Sequence, residues 1–199
     1  RRPMVWHIRT SERQNRWFDR LLFSMARRVI PVSHAAAARF RGVGKQDKIR
    51  VIHNGIDVAG YERGDASQRV RAEFAPGGEL LIGTAGQLVT EKGMETFLDA
   101  ATLACKQTGK SVRFLVVGRG TDDYVAVLKK KAADLGIADR VIFAGFRRDI
   151  PAIMAALDVF VLATQAAEGL SRAILEAMAA ATPVITTPLG GNLELVVDG

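Results

Sequence analysis

From residue 79 onward, short apolar runs alternate with stretches of helical periodicity, and this alternation constrains the fold more than any other feature of the chain. Leu80-Leu81-Ile82-Gly83-Thr84, Val112–Val117, Val141-Ile142-Phe143, Val159–Leu162 and Val184-Ile185-Thr186 read as strands, with Leu195-Val196-Val197 as a sixth run. Between them, Met94, Phe97, Leu98, Ala101 and Cys105 share one helical face, and Tyr124, Val127, Leu128 and Leu135 share another. A short helix opens at Asp149 with Pro151 in its first turn, and a further helix runs from about Ser171 to Ala180. Apolar strands joined by helices predict an α/β fold, a parallel sheet with helices on both faces. Such sheets bind ligands in the crevice at the carboxyl ends of their strands, so the informative residues are expected just after strands.

The first 78 residues are less regular. Residues 12–29 have helical periodicity: Trp17, Phe18, Leu21, Leu22, Met25 and Val29 fall on one face, flanked by Arg13, Arg16, Arg20, Arg27 and Arg28. Such a helix serves either as an ordinary core element or as a basic amphipathic segment lying on a membrane surface. Ile30-Pro31-Val32-Ser33 and Ile49-Arg50-Val51-Ile52 read as strands, the second followed by an Asn54-Gly55 turn. Residues 57–78 read as a linker carrying one helix near Ser67–Phe74.

Charge divides the chain in the same place. The formal net charge is +7, with +10 in residues 1–50 and −3 in the remainder. A basic block before a near-neutral one fits a solvated face, an anionic membrane surface or nucleic acid. Against nucleic acid, no recognised binding module is present. The longest apolar run is too short to cross a bilayer. Arg1-Arg2-Pro3-Met4 has no signal-peptide pattern, and the missing initiator Met leads us to expect sequence upstream. Cys105 is the one cysteine, which excludes a disulfide framework and a thiolate zinc site and fits a reducing, cytoplasmic setting. His7, His34 and His53 have no metal-ligand spacing, so no metal is expected.

Residues with chemical potential do cluster after strands. Gly86-Gln87-Leu88-Val89-Thr90-Glu91-Lys92-Gly93 is a glycine-bracketed loop that opens a helix. A lysine there is disfavoured by the helix dipole unless an anion is bound, when amides and ammonium converge on it. Glu168-Gly169-Leu170-Ser171 leads into a helix, with Glu176 eight residues after Glu168. Gly169 lets backbone approach a ligand, amides near 170–172 suit phosphate oxygens, and carboxylates accept paired sugar hydroxyls. Phe146 and Arg147 follow the third strand, either as a platform for a base or as loop surface. Gly109-Lys110-Ser111 lacks the upstream glycine of a phosphate-binding P-loop, and Gly118-Arg119-Gly120 is an incomplete dinucleotide fingerprint.

Glu168-Gly169-Leu170-Ser171, Leu175-Glu176-Ala177-Met178-Ala179, Pro183-Val184 and Gly190-Gly191-Asn192-Leu193-Glu194 together closely resemble the signature of family 4 (group 1) glycosyltransferases. The resemblance extends back through Gly118-Arg119-Gly120, Lys92-Gly93, Asn54-Gly55-Ile56-Asp57 and Val32-Ser33 to His7. It implies the GT-B architecture of two Rossmann-like domains. Residues 1–56 would be the C-terminal part of an acceptor-binding domain, 57–78 a linker, and 79–199 a nucleotide-sugar-binding domain.

By position, the resemblance assigns Lys92 to the donor diphosphate, Glu168 to the donor sugar and the backbone of Gly169, Leu170 and Ser171 to phosphate or sugar. It assigns Glu176 to the ribose, Phe146 and Arg147 to the base, Gly86 and Gln87 to the donor loop and His7 to the transferred sugar. Gln87 stands where many members carry an arginine, so more of the diphosphate charge falls to Lys92. The implied activity is retaining transfer from a UDP-, GDP- or ADP-sugar to a hydroxyl acceptor in glycan, polysaccharide or glycolipid synthesis. No metal, cofactor or nucleic acid is implied. The basic segment suggests a lipid-linked acceptor and work at the inner face of the plasma membrane. The competing expectation is a nucleotide-sugar-binding module without catalysis.

Overall fold

Five apolar runs lie side by side as one parallel sheet in a computed structural model of the chain, which describes residues 2–11 and 15–198. The chain forms two compact units. Arg1–Gly55, Ala166–Arg172 and Pro188–Gly199 make the smaller, and Ile56–Gln165 with Ala173–Thr187 the larger.

The larger unit contains β3 (Leu80–Ala85), β4 (Val112–Val117), β5 (Val141–Gly145), β6 (Val159–Leu162) and β7 (Val184–Thr186), in the order β5-β4-β3-β6-β7. Its helices are α3 (Asp65–Phe74), α4 (Met94–Gln107), α5 (Asp122–Asp134), α6 (Ile150–Ala156) and, from Ala173 onward, α7 (Arg172–Ala179). Alternate residues of each strand face opposite layers. Ile82, Phe114 and Val116 pack with Met94, Phe97 and Leu98 of α4 and Leu128 of α5. On the other face Gly83 leaves room for Leu157, since a Cβ there would lie 2.6 Å from its Cδ2. The central strands β3 and β4 are therefore largely buried on both sides, while Ile185 of the edge strand β7 is exposed.

Connections run from β3 to β4 and β5 on one side, then cross to β6 and β7 on the other. The gap between β3 and β6 is the place where strand order reverses. Their ladder is short, pairing Ile82 with Val159 and Gly83 with Phe160. Asp158 extends it: its amide donates to the Leu81 carbonyl at 2.8 Å, and its Oδ2 accepts from the Leu81 amide at 2.7 Å. The same carboxylate accepts from Arg71 of α3 at 2.9 Å.

In the smaller unit β1 (Val5–Ile8) pairs in parallel with β2 (Arg28–Pro31), which puts His7 opposite Ile30. Helix α1 (Arg16–Met25) is capped by the Asn15 side chain, and α2 (His34–Ala37) by Ser33. Phe23 and Phe40 pack at 5.6 Å between ring centroids, and Trp6 meets Phe40 edge-on at 5.3 Å. Beneath α1, Asp19 accepts from Nε and Nη2 of Arg39, both side chains almost completely buried.

The structure departs from several of these expectations. The helix expected over 12–29 is α1, Arg16–Met25, because Arg28–Pro31 pairs as a strand; residues 12–14, with Arg13, lie outside the described residues. Its packed face holds Asp19 and Phe23, while Trp17, Phe18, Leu21 and Met25 are exposed. The run Ile49–Ile52 follows β2 through a single bridge, Val29 to Ile49, rather than as a strand. Leu195-Val196-Val197 is no strand: Gly190–Glu194 form a 3-10 turn, and Leu195 keeps helical backbone angles. The sequence reading did not anticipate β1.

Removing one partner of the Asp19–Arg39 pair strands the other charge in the interior. Asp19→Ala should cost about 3–5 kcal/mol, whereas Asp134→Ala, which breaks the exposed Lys130–Asp134 pair, should cost about 0.5 kcal/mol or less. Urea titration measures both costs, the first by fluorescence of Trp6 and Trp17, which lie in the smaller unit with Asp19, and the second by helical circular dichroism. Equal costs for the two variants would contradict this picture.

Candidate functional site

The carboxyl edge of β3, β4 and β5 is built with almost no side chain between neighbouring loops. The Gly86 amide donates to Val117 at 3.0 Å, and the Gly118 amide to Gly145 at 2.8 Å. A Cβ on Gly118 would lie 1.7 Å from the Gly86 carbonyl oxygen, so only glycine permits this crossing. The Leu88 amide donates to the Arg119 carbonyl at 2.7 Å. The loops after β3 and β4 are thereby laced together, with Gly86 and Gln87 exposed on the rim.

Lys92 is seated by a second contact of this kind. Thr90–Lys92 form a 3-10 turn, and Gly93 takes a left-handed conformation, φ +67°, just before α4 begins. A Cβ on Gly93 would lie 1.8 Å from the carbonyl oxygen of Ala163, which follows β6. The Glu91 carbonyl accepts from Thr164 Oγ1 at 2.9 Å and from the Gln165 amide at 2.8 Å. Gln165 Nε2 donates to Thr96 of α4 at 2.8 Å. The turn that carries half-buried Lys92 is thus fastened across the carboxyl ends of β3 and β6, where strand order reverses.

After β5, Phe146 and Arg147 have different surroundings. Phe146 is 55% exposed, and the Arg119 guanidinium sits over its ring at 4.6 Å. Arg147 donates to both carboxylate oxygens of Asp149, at 2.9 and 2.8 Å, and to both of Glu73, at 2.7 and 3.1 Å. Its guanidinium also lies 5.3 Å from the Phe74 ring centroid. Its hydrogen bonds to Asp149 and then to Glu73 raise the Arg147 pKa further, and Arg147 in turn lowers that of Asp149. Arg147 braces the β5 loop against α3 and α6. Glu176 lies half-buried on α7 in this same unit.

His7 and Glu168-Gly169-Leu170-Ser171 belong to the smaller unit. His7 is exposed on β1. The Glu168 carbonyl accepts from Ser11 Oγ at 2.6 Å and from the Gly191 amide at 2.9 Å. A Cβ on Gly169 would lie 2.0 Å from the Arg9 carbonyl oxygen, and one on Gly191 1.9 Å from that of Gly169. Three passes of backbone are stacked here, with Leu170 and Ser171 buried and Glu168 half-buried.

Sequence reasoning missed two residues. Arg119 belongs to the Gly118-Arg119-Gly120 loop, and its position directly after a strand was the available signal. Glu194 closes the Gly190–Glu194 turn. Its carboxylate accepts from the His34 and Ala35 amides, each at 2.9 Å, and meets His53 Nε2 at 3.0 Å. Burial works to raise this carboxyl, but the two amides and the His53 ring together hold it below its ordinary value. A depressed carboxyl stabilises the native state above its unfolded pKa and loses that contribution as pH falls through the folded value. Between pH 5 and 3 the tryptophan-detected urea stability of the wild type should therefore fall more steeply than that of Glu194→Gln. Parallel pH profiles would contradict this assignment.

A family model described as "Glycosyl transferases group 1" matches residues 79–199, and one described as "Glycosyltransferase Family 4" matches residues 1–59. A mannosyltransferase of lipopolysaccharide core biosynthesis, LpsB of Rhizobium meliloti (strain 1021), is 35% identical over 155 residues, covering 75% of this chain and 43% of the relative. The crystal structure of Anabaena Alr3699/HepE in complex with UDP superposes with a TM-score of 0.89 at 30% identity, covering 99% of this chain and 56% of that one. The same protein in complex with UDP-glucose gives 0.85 at 29% identity, again covering 99% and 56%. The chain spans about half the length of the relatives it matches.

Proposed function

The chain belongs to the group 1 glycosyl transferases, and from that premise we propose that it supplies the donor side of a retaining sugar transfer from a nucleoside-diphosphate sugar to a hydroxyl acceptor. The observation that carries this reading is the turn bearing Lys92, clamped across the β3–β6 switch point by Gly93 and the Glu91 carbonyl. Open α/β sheets hold ligands at that point, and a lysine carried there on a clamped turn suits a diphosphate. The Anabaena relative solved with UDP and UDP-glucose makes a UDP-sugar the first donor to test, ahead of GDP- and ADP-sugars.

In this reading the bond between the anomeric carbon and the diphosphate oxygen breaks while Lys92 and amides at the start of α4 take up the growing negative charge. The departing phosphate oxygen accepts the proton of the acceptor hydroxyl on the same face, and the acceptor oxygen bonds to the anomeric carbon. Glu176 holds the ribose hydroxyls. Glu168, the backbone of Gly169–Ser171 and His7 address the donor sugar, and the loop of Phe146 and Arg147 borders the base. Gly86 and Gln87 line the phosphate edge, and Arg147 shapes the base loop through its ion pairs. We place residues 1–56 in an acceptor-binding domain, 57–78 in a linker and 79–199 in the nucleotide-sugar-binding domain.

Transfer within polysaccharide or lipopolysaccharide assembly is supported by the mannosyltransferase relative. No helix among the described residues is long and apolar enough to cross a membrane. Exposed Trp17, Phe18, Leu21 and Met25 beside Arg16 and Arg20 support a peripheral site of work, on the cytoplasmic side, with a lipid-linked acceptor. Exposed Gln87, in place of a second cation, favours the alternative of a binding module without turnover.

UDP at about 100 times its Kd should stabilise the folded chain by about 2.7 kcal/mol. The accompanying rise in Tm should be unaffected by EDTA and absent in Glu176→Ala. A chain that melts at the same temperature with UDP, GDP or ADP would refute the donor site. In a sugar-transfer assay of the full-length enzyme, Lys92→Ala should lower kcat about 10²–10³-fold with a smaller loss of nucleotide affinity. Equal losses in both would contradict a role in stabilising the leaving group, and nucleotide binding without any transfer would establish the module.

A further inference from the structure

The sequence places Arg119, Arg147 and Arg148 near the edge where a base would lie, and the structure separates the duties of the first two. Arg147 is held by four hydrogen bonds to Glu73 and Asp149 and stacks against Phe74. Turning it toward a ligand would leave two carboxylates without their cation. Arg119 has no carboxylate partner among the described residues, and its guanidinium lies over the face of Phe146 at 4.6 Å.

We propose that Arg119, rather than Arg147, is the guanidinium on which the donor's nucleobase stacks, with Phe146 backing it from the other side. This rests on the reading of the β3–β5 rim as a nucleoside-diphosphate site. A guanidinium is planar and weakly hydrated, so it layers between aromatic planes where an ammonium cannot. The main chain under Arg119 has little latitude. Its carbonyl accepts from Leu88, and the flanking glycines press against the Gly86 and Leu88 carbonyl oxygens, where a Cβ would lie at 1.7 and 2.5 Å. The side chain is thus launched from a rigid base, and contact with Phe146 supplies a preferred plane.

Position on the sheet favours a base over a phosphate. The Lys92 turn lies over β3 and β6, whereas Arg119 and Phe146 follow β4 and β5. Strands are spaced by about 4.8 Å, so the two groups stand roughly two spacings apart, about 10 Å. That is the kind of separation a ribose puts between its diphosphate and its base. The face of Arg119 turned away from Phe146 is the one a flat ring would take, in the manner of cation–π stacking on single bases.

The test is calorimetric titration of the 199-residue chain with UDP and with inorganic pyrophosphate. Arg119 is exposed, so Arg119→Ala and Arg119→Lys should keep the wild-type Tm. Both should lose UDP affinity by about 10-fold or more, because lysine keeps the charge but not the plane, while pyrophosphate binding stays unchanged. Retention of UDP affinity by the lysine variant, or a parallel loss of pyrophosphate, would make Arg119 a phosphate ligand and overturn the proposal. Unchanged UDP affinity in the alanine variant would also overturn it. A wild-type chain that takes up no nucleotide would instead remove the donor-site reading on which the proposal stands.

Discussion

A Cβ on Gly93 would lie 1.8 Å from the carbonyl oxygen of Ala163, and the arrangement of the sheet's carboxyl edge depends on that steric limit. With hydrogen at that position, the loop after β3 lies directly on the loop after β6. The Glu91 carbonyl can then accept from Thr164 and Gln165, and α4 starts from a fixed point. The main chain of Lys92 is thereby held at the switch point.

The same device recurs at Gly118 over Gly86 in the larger unit and at Gly169 and Gly191 in the smaller. In the smaller unit it stacks the segments around Arg9, Glu168 and Gly191, and the Glu194 carboxylate ties the end of the glycine-rich turn to the start of α2 and to His53. Much of what makes the Glu168–Ser171 and Gly190–Glu194 segments recognisable is therefore architectural. Their glycines are needed because backbone passes over backbone, whether or not a ligand is bound. Functional assignment falls to the few side chains that these contacts leave on the rim.

That division explains what was legible in the sequence. The five strands of the larger sheet were readable because each is apolar at consecutive positions and bounded by helix signals. The loops after β3, β4 and β5 were readable as the carboxyl edge of the sheet for the same reason. The partners of individual side chains were not: Arg147 is braced by Glu73, 74 residues earlier, and no local pattern reports such a pairing. α1 misled because helical periodicity marks an apolar face without saying whether it is covered; the buried Asp19–Arg39 pair turned a different face inward. Leu195-Val196-Val197 is apolar enough for a strand, but the turn at Gly190–Glu194 delivers it in helical geometry. The same turn delivers Glu194 to the amides of α2.

The central claim is that the rim of β3, β4 and β5, with the Lys92 turn, receives a nucleoside diphosphate. The most direct measurement is an amide chemical-shift titration of the ¹⁵N-labelled chain with UDP. The largest shifts should fall on Gly86, Gln87, Gly93, Arg119 and Phe146. Shifts gathered instead around the basic depression lined by His34, Arg41, Arg50 and His53, or no shifts at saturating nucleotide, would contradict it.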